Sequence, residues 1–530
     1  MTQRRRLGGA RLADVRPGLG QTARQLADGL RALAFDTHPW TMLTGAADGL
    51  WRHGMTPTAA VLMAASAWGD RAALTDGLGT ASYRQLAVQT LRWGAALAAG
   101  GWVRPGSRVA LVAPDDRRLI AGLAAACWAG GQVSLVNPRL GADDARGYFA
   151  AARVDTLLGP AQPGHHGPRL DLDDLDRLPL PVGLGRSRAK SAHFVMLTGG
   201  TTGAPRGITI RRRWTAPLAA LGLAGATGVR HGVPILICAP LFHGYGLAAA
   251  MLGLVGGSPL ILPSHLRPSG IATMDKGGAT TRVDWGEAIA ATLTRSGVGT
   301  VFGAPAHFRS LAAHLDRQAA TPPLRGARLI SGADRLDPRT AASLAGHGGT
   351  VVNYYGTTET GTVTMAVGRE LDDHPGTVGR PVAGSRVQIV DALGRTLPRG
   401  VPGRVRLFSP LASLSDPGSR GHTTADNGLI DQDGFLFHLG RADGATRLNG
   451  EFVQLDQITA VLNGSPGVVS ARVWLSDDQS TTLPGPSRVL AEAVVRPDSP
   501  VSPEALRALV LARLGPAAQP ARVTIITADA

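Results

Sequence analysis

The strongest constraint on the fold is a repeated order of apolar runs in the middle of the chain. Within residues 107–138 the run SRVALVAP is followed by RRLIAGLAAACWAGG and QVSLVNP, and within residues 233–263 VPILICAP is followed by GLAAAMLGLVGG and PLILP. Short, uninterrupted apolar runs are typical of strands buried on both faces of a parallel sheet, and the Ala- and Leu-rich runs between them are typical of crossover helices. The sequence therefore predicts an α/β fold built from αβα layers.

Changes of texture along the chain predict its division into domains. Residues 1–50 are predicted to form an N-terminal extension, and residues 51–440 a large domain of layered αβα subdomains that ends in a small, turn-rich β subdomain. Residues 441–530 are predicted to form a small α+β domain. The Pro- and Asp-rich residues 160–190 are predicted to be a surface connection. The amphipathic run GQTARQLADGLRAL (20–33) fits a packed surface helix or a docking helix.

The strongly basic composition raises the question of nucleic acid as a partner. The net charge is +15, but the basic residues are scattered, and the runs RRR at 4–6 and 211–213 are short and lack interleaved aromatic residues. Scattered arginines fit solvated faces better than a phosphate-binding stripe. The sequence therefore predicts no nucleic-acid partner.

Cysteine usage and hydropathy bear on the compartment. Cys127 and Cys238 lie in apolar stretches without metal-ligand spacing, which favours buried thiols in a reducing cytoplasm. The N-terminal segment has no apolar run of the kind found in secretory signals. Residues 244–263 are uncharged and long enough to span a membrane, but their glycines and prolines fit a buried helix followed by a core strand. A cytoplasmic protein without a membrane span is predicted, and peripheral association with a membrane stays open.

The first candidate site is the stretch FVMLTGGTTGAPRGITI at residues 194–210, in which an apolar strand runs into a Gly- and Thr-rich loop. Glycine lets backbone N–H groups approach phosphate oxygens closely, and threonine hydroxyls donate as well. The loop lacks the Lys-Ser or Lys-Thr of a P-loop, so it is either a phosphate-binding loop of another kind or an ordinary glycine turn.

Two further stretches carry polar side chains after apolar runs. In VVNYYGTTETG (351–361), Tyr355 could stack on a base and Glu359 could bind Mg²⁺ through oxygen, although a Glu after a strand is more often a solvated loop end. In the third stretch Asp426 precedes Arg441 by fifteen positions. This pair could hold a ribose, or the two side chains could be unrelated surface charges.

Taken in order, TGGTTGAPRG, YGTTE, TAD and GRAD resemble the motifs of the adenylate-forming (AMP-binding) superfamily, in particular its acyl-CoA synthetases and fatty-acid–CoA ligases. The resemblance runs from about residue 50 to the end of the chain. It is supported by APLFHGYGL (239–247), FGAPAHF (302–308) and LISGADRL (329–336). It implies a carboxylic acid and ATP as substrates, Mg²⁺ as cofactor, and CoA or the phosphopantetheine arm of a carrier protein as acceptor.

The resemblance also implies roles for individual residues. Adenine would pack against Tyr355, Gly332 and Ala333. The ribose hydroxyls would be held by Asp426 and Arg441. Asp443 would be the hinge of a mobile C-terminal domain. The residues implied to bind the phosphates are Thr198, Gly199, Gly200, Thr201, Thr202, Gly203, Arg206, Gly207 and Thr358. Gly356 and Thr357 are implied to belong to the nucleotide site.

The catalytic set implied by the resemblance is small. Thr198 and Thr358 would contact phosphate oxygens, with Thr358 at the α-phosphate, and Glu359 would be the Mg²⁺ ligand. His243 falls where the family places an aromatic residue or a histidine beside the carboxylate substrate. The alternative is a satisfied core histidine.

One departure from the family pattern concerns the C-terminal domain. Family members commonly carry a lysine in a Pro-Arg-Thr-x-x-Gly-Lys element near the C-terminus, whereas no lysine follows Lys276 here. The C-terminal domain is therefore expected to be truncated, and adenylation to be slower by about 10² to 10³.

Three functions remain open from the sequence. The first is an acyl-CoA synthetase, with the apolar run after His243 favouring a fatty acid although such a run is also ordinary core. The second is an acyl-AMP ligase that loads a carrier protein. The third is a catalytically impaired homologue that binds a nucleotide or an acyl group.

Overall fold

The structure of the chain is a computed structural model. It describes residues 12–32, 48–49, 51–181, 187–189, 192–198, 206–210, 216–266, 284–318, 324–412, 421–442, 446–448, 451–476, 488–496 and 499–527. The side chains of the predicted phosphate loop (residues 198–207) and the predicted hinge Asp443 lie outside the described residues.

The described residues form the α-helices α1 (Leu19–Ala32), α2 (Pro57–Trp68), α3 (Tyr83–Ala99), α4 (Arg117–Trp128), α5 (Ala142–Ala152), α6 (Ala216–Thr227), α7 (Gly244–Val255), α8 (Trp285–Ser296), α9 (Pro305–Asp316), α10 (Pro338–Gly346), α11 (Arg369–Asp373), α12 (Leu455–Asn463) and α13 (Pro503–Leu514), and residues 48–49 and 51–53 are also helical. Two short 3-10 helices cover Leu172–Arg177 and Pro263–His265.

The strands of the first half are β1 (Asp14–Val15), β2 (Ala72–Asp76), β3 (Gly79–Ser82), β4 (Arg108–Leu111), β5 (Gln132–Leu135), β6 (Thr156–Leu158), β7 (Arg169–Leu170), β8 (His193–Thr198), β9 (Arg206–Ile210), β10 (Ile235–Ile237), β11 (Leu260–Ile261) and β12 (Thr300–Gly303). The remaining strands are β13 (Arg328–Ser331), β14 (Thr350–Thr357), β15 (Gly361–Val367), β16 (Thr377–Pro381), β17 (Arg386–Val390), β18 (Gly403–Phe408), β19 (His422–Ile430), β20 (Leu436–Arg441), β21 (Thr446–Leu448), β22 (Glu451–Val453), β23 (Val468–Ser476), β24 (Arg488–Val495) and β25 (Arg522–Thr527).

A fourteen-stranded sheet with the order β1-β17-β18-β19-β20-β16-β15-β14-β13-β12-β10-β11-β2-β3 is the frame of the large domain. Its strands β2, β11, β10, β12, β13 and β14 run parallel, and from β14 to β1 each neighbouring pair is antiparallel. The β subdomain predicted in the last part of the large domain is thus joined to the parallel half. The pairing of β16 with β20 makes one continuous sheet of the two regions.

A second sheet of six strands, β7-β6-β4-β5-β8-β9, faces the first across the largest apolar core. Leu111 and Met196 enter this core from the second sheet, and Ile330 and Val352 enter it from the first. Another core lies on the other face of the large sheet, under α8, α9 and α10. Helices on both faces of parallel strands confirm the predicted α/β layers.

The C-terminal region has a core of its own. Helices α12 and α13 pack on the three-stranded sheet β23-β24-β25, with Ile458, Leu462 and Val510 fully or almost fully buried. It contacts the large domain where α13 meets α5, through an ion pair between Arg513 and Asp143. This arrangement agrees with a small α+β domain.

Residues 12–32 are built into the large domain. Strand β1 pairs with β17 at the edge of the large sheet, where the Asp14 carboxylate accepts hydrogen bonds from the Arg386 guanidinium, and α1 packs along α6. The Gln25 side chain accepts a hydrogen bond from the backbone N–H of Ala383 at 2.8 Å. The geometry is that of a packed surface helix.

Two other predictions about segments can be compared with the structure. Residues 169–177, predicted as part of a surface connection, instead form β7 and a 3-10 helix whose Leu172 and Leu175 are buried. Residues 244–263 form α7 followed by β11, the predicted helix and core strand. Among the described helices, none has the length and apolarity that crossing a membrane requires.

Candidate active site

The predicted adenine-binding backbone lies directly after β13. Gly303, Ser331 and Asn353 are neighbours across β12, β13 and β14, so the ends of these parallel strands meet at one edge. Ala333 has a φ of 68°, a left-handed conformation that residues with a side chain rarely adopt. Such backbone is retained where the surroundings enforce it, and it is frequent at binding sites.

Gly332 explains why this backbone can approach β14. A Cβ atom added to Gly332 would lie 2.1 Å from Cε1 of Tyr354, so the Tyr354 ring rests directly on the glycine. Tyr355, which the resemblance places at adenine, follows Tyr354 on the same strand, and successive side chains of a strand point to opposite faces. Packing of Tyr355 on adenine stays a prediction.

A tight hairpin turn between β14 and β15 carries the predicted phosphate and metal residues. A Cβ atom at Gly356 would lie 1.9 Å from the carbonyl oxygen of Gly361, so only glycine fits there. The Thr357 and Thr360 hydroxyl groups lie 3.1 Å apart, and each hydroxyl accepts from the other residue's backbone N–H. These bonds leave Thr358 and Glu359 at the tip of the turn.

Glu359 lies near a histidine that the sequence analysis did not identify. Its Oε2 atom lies 3.9 Å from Nε2 of His422, and each of the two side chains is 25% exposed. A carboxylate at this exposure, next to threonine hydroxyls, offers the hard oxygen ligands that suit Mg²⁺. Chemically, the tip of the turn therefore fits the predicted metal role.

Asp426 and Arg441 are brought together by strand pairing. They are direct neighbours across β19 and β20, and Nη1 of Arg441 lies 3.4 Å from Oδ1 of Asp426. The residues between them belong to the two strands and their connecting turn. Of the two interpretations left open by the sequence, the structure excludes unrelated surface charges, since the side chain of Asp426 is only 8% exposed.

Two further side chains complete what we call the Asp426 corner, which consists of Asp426, Arg441, Tyr355 and His438. The Tyr355 hydroxyl donates to Oδ2 of Asp426 at 2.5 Å, and Nε2 of His438 lies 3.6 Å from Oδ1. The backbone N–H of Gly440 donates to Nδ1 of His438, so in the neutral imidazole the proton is on Nε2, facing the carboxylate.

The charges of this corner shift the acidity of its members. Burial tends to raise the pKa of Asp426, but hydrogen bonds from His438 and Tyr355 and the charge of Arg441 outweigh burial, and the pKa is lowered. Burial and the neighbouring Asp426 carboxylate raise the pKa of Tyr355 well above its ordinary value. Asp426 therefore stays an acceptor and Tyr355 a donor near neutral pH.

The phosphate loop is only partly described. Thr198 at the end of β8 pairs with Arg206 at the start of β9, and Leu197 pairs with Gly207, so residues 199–205 connect two antiparallel strands. Gly199, Gly200, Thr201, Thr202 and Gly203 lie outside the described residues, as do the side chains of Thr198 and Arg206. Their phosphate contacts remain a prediction.

His243 lies at the start of α7, as its N-cap residue. Its ring is 4.5 Å from that of Phe242, and a Cβ atom on the next residue, Gly244, would lie 3.7 Å from Cε of Met196 in β8. The start of α7 is thereby held against the strand that leads into the phosphate loop. This position is compatible with the role beside the acid that the resemblance implies.

A second group of possible metal ligands lies elsewhere. Ligand atoms of His374, Asp431 and Asp433 lie within 4.8 Å of one another. The Asp431 carboxylate, however, accepts hydrogen bonds from the backbone N–H groups of Asp433 and Phe435 and faces His374 at 3.0 Å. A turn held in this way accounts for the cluster without a metal ion.

Comparison with known proteins identifies the family of the chain. The model of the family described as AMP-binding enzyme matches residues 62–412. The 2-succinylbenzoate–CoA ligase of Geobacillus kaustophilus is 27% identical over 481 residues, which are 86% of this chain and 91% of that protein. A probable non-canonical nonribosomal peptide synthetase of Salinispora arenicola is 27% identical over 78% of this chain.

Coverage differs greatly among the relatives. The chain spans only 5%, 13% and 20% of the length of three long curated relatives that it matches. Among solved structures, o-succinylbenzoate CoA synthetase of Bacillus subtilis with a bound product analogue has a TM-score of 0.73 at 20% identity, covering 88% of this chain and 94% of that one. Because the family model matches more than half of its residues, this chain belongs to the AMP-binding enzyme family, the adenylate-forming enzymes.

Proposed function

We propose that the protein activates a carboxylic acid with ATP to an acyl-adenylate and then transfers the acyl group to a thiol. The single observation that carries the proposal is the Asp426 corner, a buried carboxylate with donors on three sides, in a chain of the AMP-binding enzyme family. The turn bearing Thr358 and Glu359 follows Tyr355 on β14 and extends the site towards the phosphates.

The proposed roles in nucleotide binding are those implied by the resemblance to the family, and this geometry supports them. The Asp426 carboxylate accepts from the ribose hydroxyls, with Arg441 and Tyr355 holding it in place. The backbone at Gly332 and Ala333 lies beside adenine, and Thr358 donates to the α-phosphate. Most of the rate would come from positioning and from stabilising charge, since little covalent work falls to the protein.

Glu359 would bind the Mg²⁺ that accompanies ATP. The metal, when bound, neutralises phosphate oxygens and favours departure of pyrophosphate. The carboxylate keeps a quarter of its surface accessible, as a ligand that exchanges with water requires.

The two half-reactions can be written with their atoms balanced. In the first, a carboxylate oxygen of the acid attacks the α-phosphorus, an O–P bond forms, and the bond to the β-phosphate breaks to release pyrophosphate. In the second, a thiolate sulfur attacks the acyl carbon and AMP leaves with the former carboxylate oxygen. His243, beside the acid, and Thr198, in the phosphate loop, complete the proposed catalytic set with Thr358 and Glu359.

CoA is the proposed acceptor, supported by similarity to the 2-succinylbenzoate–CoA ligase, 91% of whose length this chain matches. A carrier protein is the second candidate. It is supported by similarity to a nonribosomal peptide synthetase and by the net charge of +15, which would attract an acidic partner.

The apolar run of α7 bears on whether the acid is a fatty acid. A fatty acid was favoured by the apolar run after His243, but Leu247, Ala250 and Leu254 of α7 are buried in the main core. A Cβ atom at Gly253 would lie within 2.6 Å of side chains of Ile235 and Leu260. The apolar character of α7 is therefore explained by packing, and it gives no support to a lipid substrate.

The test is mass spectrometry of the purified protein with Mg·ATP and a panel of short, medium and long carboxylic acids, each with and without CoA. Acyl-CoA supports the proposal with CoA as acceptor, and acyl-AMP alone supports a ligase that uses another acceptor. If neither product forms but supplied acyl-AMP is bound, the first half-reaction is lost, as an impaired homologue would show. If no nucleotide or acyl-adenylate binds, the proposal is wrong.

A further inference from the structure

We propose that Tyr245 and Tyr354 close the acid pocket, so that this enzyme takes compact, short-chain carboxylic acids and excludes fatty acyl chains. The inference rests on the proposed function, because the pocket is the acid-binding part of the same site. It concerns the end of the pocket away from the phosphates, which the resemblance to the family does not specify.

The direction of the pocket follows from two adjacent residues on β14. Tyr355 packs on the apolar cluster of the antiparallel half of the large sheet, and its hydroxyl group reaches Asp426. Tyr354 packs on the largest apolar core, between the fourteen-stranded and the six-stranded sheet. Side chains that alternate along a strand separate the two sides of the site. The nucleotide would lie on the side of Tyr355, and the acid on the side of Tyr354, where α7 and His243 lie.

Tyr245 links α7 to the strand edge on the acid side. It lies in the first turn of α7, two residues after His243, and its hydroxyl group lies 2.5 Å from the carbonyl oxygen of Ile330 and 3.3 Å from that of Gly303. The phenol thus spans the gap between α7 and the ends of β12 and β13. Burial raises the pKa of Tyr245 well above its ordinary value, so the phenol remains a donor.

Three aromatic rings fill this gap. The Tyr245 ring lies 5.0 Å from the Tyr354 ring and 6.1 Å from the Phe302 ring. Distances of this order are those of packed aromatic pairs. Since the Tyr354 ring also rests on Gly332, it has no room to move towards β13.

The two tyrosines nevertheless retain accessible surface. Both are only partly buried, although they pack against the core, and Phe302 behind them is 4% exposed. This combination is expected of side chains that line a pocket beside a core. An acid whose carboxylate lies beside His243 would therefore meet the tyrosine rings after a short distance.

Non-hydrolysable acyl-sulfamoyl adenosines with acetyl, butanoyl, octanoyl and dodecanoyl groups test this inference by calorimetry, with AMP as reference. The acetyl and butanoyl compounds should bind more tightly than AMP, and the octanoyl and dodecanoyl compounds more weakly than butanoyl by about tenfold or more, since forcing extra methylenes against packed rings costs binding free energy. Equal or tighter binding of the octanoyl or dodecanoyl compound would overturn the inference.

Variants of Tyr354 sharpen the test. Tyr354→Ala should open the pocket and reduce the octanoyl-to-butanoyl ratio of dissociation constants by about tenfold. The matched control Tyr354→Phe retains the ring and should retain the preference for the shorter chain. A ratio that is the same in all three proteins would overturn the role of Tyr354.

AMP binding separates the failures. If AMP binds normally while chain length has no effect, only the inference about the pocket is wrong. If the wild-type protein binds neither AMP nor any analogue, the proposed function is wrong, and the inference falls with it. If Tyr354→Ala alone loses AMP binding, the variant Tyr354→Leu is measured in place of Tyr354→Ala. The acyl-sulfamoyl adenosines measured with the wild-type protein still decide the substrate class.

Discussion

Asp426 and Glu359, the two carboxylates of the site, have opposite surroundings. The Asp426 side chain is 8% exposed and faces Tyr355, His438 and Arg441, whereas Glu359 is 25% exposed at the tip of a turn, with His422 at 3.9 Å. The first is oriented before any ligand arrives, and the second keeps its oxygens accessible. From this contrast we predict that the proposed ribose site is preorganised in the folded protein, whereas the proposed metal site is completed by its ligand.

The largest expected effect is that of Asp426→Ala. Removing the carboxylate leaves the Tyr355 hydroxyl and the Arg441 guanidinium without their acceptor, and breaking a buried pair in this way costs about 3–5 kcal/mol. We expect a lower free energy of unfolding in urea and loss of AMP binding in calorimetry. Asp426→Asn, which preserves the shape, should lose less stability. An unchanged unfolding midpoint for Asp426→Ala would mean that the corner is not preorganised.

Glu359→Ala tests the other side of the comparison. We expect the free energy of unfolding to change by less than about 0.5 kcal/mol, while metal-dependent ATP turnover falls by about 10² to 10³. Glu287→Ala removes an exposed carboxylate from α8 and is the matched control, with turnover retained. Turnover that survives Glu359→Ala would remove this residue from the metal site.

The smallest effect concerns a carboxylate outside the site, Asp144 in α5. Burial and the neighbouring Asp143 charge raise its pKa to about 6, above about 3.9 in an unfolded chain. Because folding favours the protonated form, ionised Asp144 destabilises the protein above pH 6, and this cost disappears as the pH falls towards 4. Asp144→Asn should therefore raise the thermal midpoint at pH 7.5 and have little effect near pH 4. A pH-independent difference would contradict the assignment.

Local sequence predicted the parts of the site that depend on neighbours along the chain. The strands and helices of residues 107–138 and 233–263 are the predicted ones. The spacing of Asp426 and Arg441 left a shared site open, and the pairing of β19 with β20 brings the two together. The position of Glu359 after an apolar run likewise left a loop end open. Such features depend on patterns that a single segment contains.

Contacts between distant segments could not be predicted in this way. His422 on β19 lies 3.9 Å from Glu359 at the tip between β14 and β15, and neither segment alone specifies that approach. The closing of the gap by Tyr245 depends on α7 lying across β12 and β13, and periodicity within α7 does not specify that crossing. For the same reason the apolar run of α7 left both a fatty acid and ordinary core open. In the structure that run packs in the core.

The place of β1 bears on how the protein forms during synthesis. Asp14 is bonded to Arg386, 372 positions later, and Leu12 bridges to Pro398. A ribosome adds roughly 5–20 residues per second, so this segment would wait tens of seconds for its partner strand. Contacts of such long sequence separation are slow to form. The first described strand of the chain is thus among the last to find its place, and the edge of the sheet remains open until then.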